Sequence, residues 1–171
     1  MRRQSFTSIL AGAFALALAA LVHADQAAAP AKKAQSAAPA AHHTVLAPAD
    51  LKWGPAPPVL PAGAQVAVLD GDPFTPGFYA LRLKMPDGYK IMPHSHPTDE
   101  SVVVIQGAFS IGAGDAYGVA MQTLPAGGFV KLPAGMHHFA GAKGETIVQV
   151  YGQGPFVVNY VNPADDPSKK K

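Results

Sequence analysis

Glycine and proline set the strongest constraint on what this chain can fold into. Its 171 residues include 17 glycines and 17 prolines. Proline interrupts helices and central strands because it lacks a backbone N–H, and glycine favours tight turns. No segment beyond the N-terminal region carries a helical stripe of apolar residues. The sequence therefore predicts an all-β domain built from short strands and tight turns.

Alternation of apolar and polar residues locates the predicted strands. They are 65–69, 78–84, 89–93, 100–106, 108–111, 128–132, 137–140, 146–151 and 156–161. Between them, Leu-Pro-Ala-Gly occurs three times, at 60–63, 124–127 and 132–135. Proline at the second place and glycine at the fourth suit a type I turn. Many short strands with regular turn signals indicate a sandwich or a barrel.

The N-terminus has the features of a secretory signal peptide. Arg2 and Arg3 precede an uncharged apolar run from Ile9 to Val22, and Val22-His23-Ala24 provides small residues at the two positions that signal peptidase reads. The apolar run is shorter than the roughly 20 residues that a membrane-spanning helix needs. The sequence therefore predicts cleavage after Ala24, a periplasmic or secreted protein, and no membrane association after cleavage.

This interpretation divides the chain into four parts. Residues 1–24 are the predicted signal peptide, and residues 25–43 are an Ala- and Pro-rich spacer without apolar periodicity, which predicts disorder. Residues 44–162 form the predicted folded domain. Residues 163–171 are polar and Pro-containing, and we expect a flexible tail.

Charge and cysteine content argue against a nucleic-acid-binding protein and against a protein stabilised by disulfides. Arg2 and Arg3 belong to the signal peptide, and the 13 basic residues less these two equal the 11 acidic residues. The only basic cluster of the mature chain is 169–171, at its end, so no basic face of the kind that nucleic-acid binding needs is visible. With no cysteine, an exported protein of this kind has no disulfides and must depend on its core, a metal or self-association for stability.

Histidines in the predicted domain have a spacing suited to a metal ion. His94 and His96 lie two residues apart in an extended segment, so both imidazoles point to the same side. Glu100 begins the next strand and shares a face with Val102 and Val104. A carboxylate among apolar side chains is costly unless a cation accompanies it. The pattern therefore indicates a site for a divalent metal ion.

These residues resemble the first motif of the cupin superfamily, in which glycine, His-x-His, glutamate and a second glycine stand at fixed spacings. All of its fixed positions are present: Gly88, His94, His96, Glu100 and Gly107. The second cupin motif is matched in part, by Gly127, Pro133, Gly135 and His138. Its final asparagine, which is not a metal ligand in cupins, is replaced by Ala142.

The resemblance is to small single-domain bacterial cupins, and it carries specific expectations. It implies an antiparallel β-barrel of the double-stranded β-helix, or jelly-roll, type. It also implies one divalent ion (Fe, Mn, Zn, Cu, Co or Ni) held by His94, His96, Glu100 and His138. His138 is preferred to His137 because the motif count selects it and strand alternation sends the two side chains to opposite faces. Whether His137 takes part stays open.

Three further interpretations concern the surroundings of the site. Asp99 is expected to be a solvated turn carboxylate. Gln149 and Tyr151, which alternate on one strand, are either polar groups of a ligand pocket or groups that only satisfy neighbouring hydrogen bonds. Val103 and Ile105 are expected to face outward and to supply apolar area for a homodimer.

Two functions are compatible with such a site. The first is a metalloenzyme, with a dioxygenase-like oxidoreductase favoured, that binds or transforms a small oxygen-bearing molecule. The second is a non-catalytic metal- or ligand-binding module, such as a sensory cupin. Fold does not choose between them. In either function the expected partner is a small molecule.

The signal peptide generates a direct prediction. We expect the protein expressed in a bacterium with its own N-terminus to begin at Asp25, as measured by intact mass spectrometry of the purified product. Ala24→Arg should block cleavage, because signal peptidase requires a small residue there. A wild-type mass that retains residues 1–24 in an exported product would contradict the prediction.

Overall fold

The structure is a computed structural model and describes residues 43–170. The predicted signal peptide and the spacer up to residue 42 lie outside the described residues, so both stay predictions. Nine strands form a single antiparallel sheet: β1 (Gly54–Pro55), β2 (Gln65–Asp70), β3 (Gly77–Met85), β4 (Lys90–Ser95), β5 (Glu100–Ala113), β6 (Gln122–Pro125), β7 (Phe129–Leu132), β8 (His138–Gly154) and β9 (Asn159–Tyr160).

Two long strands organise the sheet. β8 pairs with β3, β4 and β5, and β5 pairs in turn with β6, β7 and β8. β2 joins β1 to β3 at one margin, and β9 pairs with β4 at another. Every pairing is antiparallel, and the sheet surrounds one apolar core. The predicted all-β antiparallel barrel is confirmed.

β5 and β8 are single strands where the sequence predicted two each. The prediction that a strand ends at Gln106 was wrong, and so was the prediction of separate strands over 137–140 and 146–151. Both strands continue because their glycines form irregularities inside the sheet. The register of β5 shifts on both sides of Gln106, and Gly107 has a φ of 78°, so the chain bulges there and then pairs again.

Packing around this bulge requires glycine. A Cβ at Gly107 would overlap the carbonyl oxygen of Glu145 and lie 2.6 Å from Oγ1 of Thr146. Thr146 is fully buried, and its hydroxyl bonds the backbone N–H and C=O of Ala108, each at 3.2 Å. This side chain therefore satisfies the backbone groups of Ala108 beside the bulge.

The Leu-Pro-Ala-Gly turns lie one residue later than predicted. In the second and third copies the hydrogen-bonded turns span 125–128 and 133–136, each beginning at the proline. The third residue of each turn, Gly127 or Gly135, has a φ of 86° or 73°. Glycine is needed in this left-handed region because a side chain would be strained there. Both turns border β7, and the second leads to His138.

Three short elements differ from the prediction. β1 and β6 were missed, since a two-residue Gly-Pro strand and a four-residue edge strand of mostly exposed residues show little alternation. The predicted strand 156–161 forms ladder pairs only at Asn159–Tyr160. Two 3-10 turns, Pro163–Asp165 and Pro167–Lys169, follow it. The flexibility expected for the tail stays a prediction.

The inner face of β5 carries the predicted alternation. Glu100, Val102 and Val104 are all buried on one face, as expected. Val103 is half-buried and Ile105 is 39% exposed, so the homodimer through this outer face stays a prediction. Within the described part of the chain, no helix is long and apolar enough to cross a membrane.

Close packing between β5 and β8 gives a prediction about stability. Gly112 lies opposite Phe139 in the ladder, and a Cβ at Gly112 would overlap the Phe139 ring. Because Phe139 is fully buried, it cannot move away without disturbing the core. We expect Gly112→Ala to lower the free energy of unfolding by about 1–3 kcal/mol, measured by denaturant titration.

Gly54→Ala is the matched control, because a Cβ there meets no atom within 4 Å. Its free energy of unfolding should stay within about 0.5 kcal/mol of wild type. Equal destabilisation by both substitutions would contradict the packing described between β5 and β8.

Candidate metal centre

Three strands and one turn bring four buried polar side chains together. His94 on β4 lies opposite His138, the first residue of β8, in the sheet ladder. His96 follows the end of β4, and Glu100 is the first residue of β5. Their exposed fractions are 3%, 2%, 6% and 8%. One ring nitrogen of each histidine lies within 4.8 Å of those of the other two.

The three imidazoles are held in the same way. In each, Nδ1 lies within hydrogen-bond distance of a backbone carbonyl oxygen, and a carbonyl can only accept, so each Nδ1 carries a proton. The acceptors are Met92 O for His94 (2.7 Å), Val157 O for His96 (2.6 Å) and Met136 O for His138 (2.9 Å). In a neutral imidazole this leaves Nε2 unprotonated, with a lone pair free to bind a cation.

The free acceptors face one another. Glu100 Oε2 lies 3.6 Å from Nε2 of His96 and 3.9 Å from Nε2 of His138. Nε2 of His138 is buried without any hydrogen-bond partner. Buried acceptors that approach one another without a proton between them are unfavourable. A cation between them would remove this conflict, and this is the structural feature that best fits a metal.

Burial controls the protonation of these groups. It lowers the pKa of His94 to about 3, with a further contribution from His138 and His96. Burial also lowers the pKa of His96 and of His138, so all three rings are neutral at physiological pH. For Glu100, burial raises the pKa to about 7. A positive charge in the cluster would favour its ionised form.

The histidines fit a metal ion more closely than Glu100 does. Two nitrogens bound to one ion at about 2.1 Å are about 3–4 Å apart, and one nitrogen of each ring here lies within 4.8 Å of those of the other two. Glu100 is not part of the set whose atoms all lie within 4.8 Å of one another, although it approaches His96 and His138. Three histidines are thus positioned to bind a metal, and ligation by Glu100 stays a prediction.

Residues after β8 support the histidines, and no pattern of residue types indicated this role. The Phe156 ring lies 5.4 Å from the ring of His96 and packs edge-on against Tyr79. Tyr160 is opposite His94 in the β4–β9 ladder and donates its hydroxyl to Val59 O at 2.8 Å. The Val157 carbonyl that orients His96 is a backbone group, and backbone groups leave no trace in the residue types.

His137 and Asp99 lie outside the cluster. The side chain of His137 is 45% exposed and bonds Asp115, with Nδ1 and Oδ1 2.6 Å apart, so it faces away from His138. Asp99 is exposed, accepts a hydrogen bond from the Ala134 N–H, and pairs with Lys131 at 2.8 Å. The hydrogen bond from Lys131 lowers the pKa of Asp99.

Of the two interpretations of Gln149 and Tyr151, the structure supports the satisfaction of neighbouring hydrogen bonds and excludes the ligand pocket. In this part of β8, Val148 and Val150 face the cavity, as His138 and Ala140 do nearer its start, so alternation turns Gln149 and Tyr151 to the outer face. There Gln149 accepts a hydrogen bond from Arg82 Nε at 3.1 Å and contacts the Tyr151 hydroxyl. Their role is the satisfaction of neighbouring polar groups.

A cavity of about 390 Å³ adjoins the cluster. His94, Glu100 and His138 contribute to its wall, and most of the remaining wall is apolar. Typical ligand pockets have volumes of this order and a few polar groups that fix orientation. The site can therefore hold a small molecule beside the three histidines.

Comparison with known families identifies the domain. Residues 74–170 match the family described as a domain of unknown function, DUF4437. The chain belongs to the DUF4437 family. The match includes all four residues of the predicted metal site. No curated protein matches the sequence.

Solved structures place this DUF4437 domain in the cupin fold. KdgF from a Halomonas species is 19% identical with a TM-score of 0.51, over 66% of this chain and 96% of that chain. The polyketide cyclase RemF from Streptomyces resistomycificus is 16% identical with a TM-score of 0.58, over 75% and 92%.

An RmlC-like cupin from Shewanella frigidimarina is 15% identical with a TM-score of 0.51, over 67% of this chain and 93% of that chain. At these identities the likeness shows the fold alone. The resemblance of the sequence to cupins is thereby confirmed, and this DUF4437 domain has the cupin fold.

Metal removal from this DUF4437 protein provides a test of the cluster. We expect added divalent metal to raise the melting temperature of the chelator-treated protein, because a ligand that binds only the folded state stabilises it by about 2.7 kcal/mol at 100 times its Kd. Differential scanning calorimetry measures the shift. His138→Ala should abolish the metal-dependent shift, and His137→Ala should keep it. Equal shifts in both variants would contradict binding at this cluster.

Proposed function

We propose that this protein binds one divalent metal ion through His94, His96, His138 and Glu100, and that a small oxygen-bearing molecule binds there. The observation that carries the proposal is the convergence of three Nε2 atoms whose rings are each fixed by an Nδ1–H to carbonyl bond. With four protein ligands, an octahedral ion keeps two adjacent positions for a chelating molecule.

The bound ion would supply Lewis-acid or redox chemistry to the molecule beside it. The protein's own groups have simpler tasks. The backbone carbonyls hold the three rings in one tautomer and orientation. Glu100 would bring one negative charge to the ion, and the apolar wall of the cavity would exclude water from the bound molecule.

As an enzyme, a dioxygenase-like oxidoreductase is the favoured form of this function. The ligand set of three imidazoles and one carboxylate suits Fe, Mn, Zn, Cu, Co or Ni, and it does not select one. Only a redox-active ion would support reaction with dioxygen. RemF, which shares the fold, is a polyketide cyclase, so one cupin of similar size is an enzyme.

A non-catalytic binding or sensory module is the second candidate. The favouring observation is that, within residues 43–170, the only ionisable side chains in the cavity wall are His94, Glu100, His138 and the exposed Lys52. Apart from the predicted ligands, no buried acid or base is available there for proton transfer. We further propose export to the periplasm or beyond, on the sequence features of residues 1–24.

One experiment separates the two candidates. The protein comprising residues 25–171 is purified from its natural export compartment, its metal is measured by elemental analysis, and oxygen consumption is recorded with diketones, flavonoids and oxalate. We expect about one metal per chain in wild type and a loss of most of it in His96→Ala. Oxygen uptake that disappears in this variant supports the enzyme, whereas tightly held zinc without turnover supports the binder.

His43→Ala is the matched control, because His43 precedes the folded domain. It should keep both the metal content and any oxygen uptake. Oxygen uptake that is unchanged in His96→Ala would contradict a metal-centred reaction, and a wild-type protein that binds no divalent ion would contradict both candidates.

A further inference from the structure

The polar groups of the cavity wall are confined to two places. His94, Glu100 and His138 form one group, and Lys52 is exposed at the rim with Phe74. Within the described residues, the rest of the buried wall is apolar. It includes Leu81, Leu83, Ile91, Val102, Phe109 and Val150.

Sheet register gives the distance over which this apolar wall extends. Glu100 pairs with Gly152 on β8, and Val104 pairs with Val148 on the same strand. Four residues of extended chain separate Glu100 from Val104, which corresponds to about 13 Å. Val148 lines the cavity and lies opposite Leu83 on β3. Beyond Glu100, the wall is therefore apolar over two successive inward-facing levels of the sheet, the first at Val102 and Val150 and the second at Val104 and Val148.

The volume sets the size of the ligand. A cavity of about 150 Å³ lined by apolar residues holds benzene. The cavity here measures about 390 Å³, so it has room for about two aromatic rings together with a small group at the metal.

The chemistry of the wall also limits what binds. A sugar or a dicarboxylate would bring several hydroxyl or carboxylate oxygens against Leu, Val, Ile and Phe side chains, and each polar group without a partner would be costly. No buried lysine or arginine among the described wall residues would neutralise an anionic tail. An apolar body would instead gain from leaving water.

We propose that the ligand of this site is a neutral, largely apolar molecule of about two rings, with a single bidentate oxygen group at one end. This inference rests on the proposed function, since the oxygen group binds the metal there. The ligand lies with its oxygens toward His94, Glu100 and His138, and its apolar body extends along Val102 toward Val148.

Three hydroxamates with the same chelating group test this inference. Acetohydroxamate has only a methyl tail, benzohydroxamate has one ring, and 2-naphthohydroxamate has two. Binding to the metal-loaded protein is measured by isothermal titration calorimetry, with the metal-free protein as the blank. We expect affinity to rise with each ring, and 2-naphthohydroxamate to bind at least about 100-fold more tightly than acetohydroxamate.

Val148→Phe fills the cavity at the level of Val104, about four residues of strand away from Glu100, and Ile147→Phe is its control because Ile147 does not line the cavity. We expect Val148→Phe to weaken 2-naphthohydroxamate at least about 10-fold, with acetohydroxamate unchanged. Ile147→Phe should leave both affinities at wild-type values. If Val148→Phe does not fold, the wild-type series alone decides.

The outcomes separate this inference from the proposed function. If acetohydroxamate binds the metal-loaded protein and 2-naphthohydroxamate binds no more tightly, the metal site stands and the apolar ligand is overturned. If the protein binds neither metal nor any hydroxamate, the proposed function fails and this inference fails with it. If affinity rises along the hydroxamate series in wild type and this rise is lost in Val148→Phe, the result supports both the metal site and the apolar ligand.

Discussion

The site depends on one repeated interaction, the hydrogen bond from a histidine Nδ1 to a backbone carbonyl. Three such bonds fix the rings of His94, His96 and His138 so that their Nε2 atoms converge. Two of the carbonyls lie two residues before the histidine they hold, and the third comes from Val157, after β8. The orientation of the three rings is therefore set by the backbone of the barrel.

This arrangement explains why the strands have to be irregular. β5 reaches from Glu100 at the cluster to Ala113 opposite His138, so the same strand borders the cluster at both of its ends. A regular strand of 14 residues would extend about 46 Å without returning. The bulge at Gly107 bends β5, and Thr146 occupies the gap that the bulge opens. The bulge at Gly107 thus serves both the packing of the core and the assembly of the site.

The first cupin motif made most of the candidate site predictable. His94, His96 and Glu100 match the fixed spacings of that motif, and the distant His138 followed from the second motif. The sequence also predicted the burial of Glu100 through its alternation with Val102. Strand ends were less predictable, because glycine is favoured both in turns and in bulges. Gly107 therefore could not show whether the strand ends there or continues past an irregularity.

The parts that could not be predicted depend on tertiary contacts. The carbonyl of Val157 and the ring of Phe156 approach His96 only because the chain after β8 returns past β4. The role of Gln149 and Tyr151 stayed open because alternation shows that the two residues share a face of the strand and does not show which face is inside. The pairing of β8 with both β3 and β5 decides this and turns Val148 and Val150 inward.

The central claim is that three Nε2 atoms bind one metal ion, and X-ray absorption spectroscopy of the metal-loaded protein tests it most directly. The account predicts three imidazole nitrogens at about 2.0–2.2 Å from the ion, with the multiple-scattering features of rigid rings, and the loss of one of them in His138→Ala. A first shell of oxygen atoms without imidazole scattering, unchanged in His138→Ala, would contradict it.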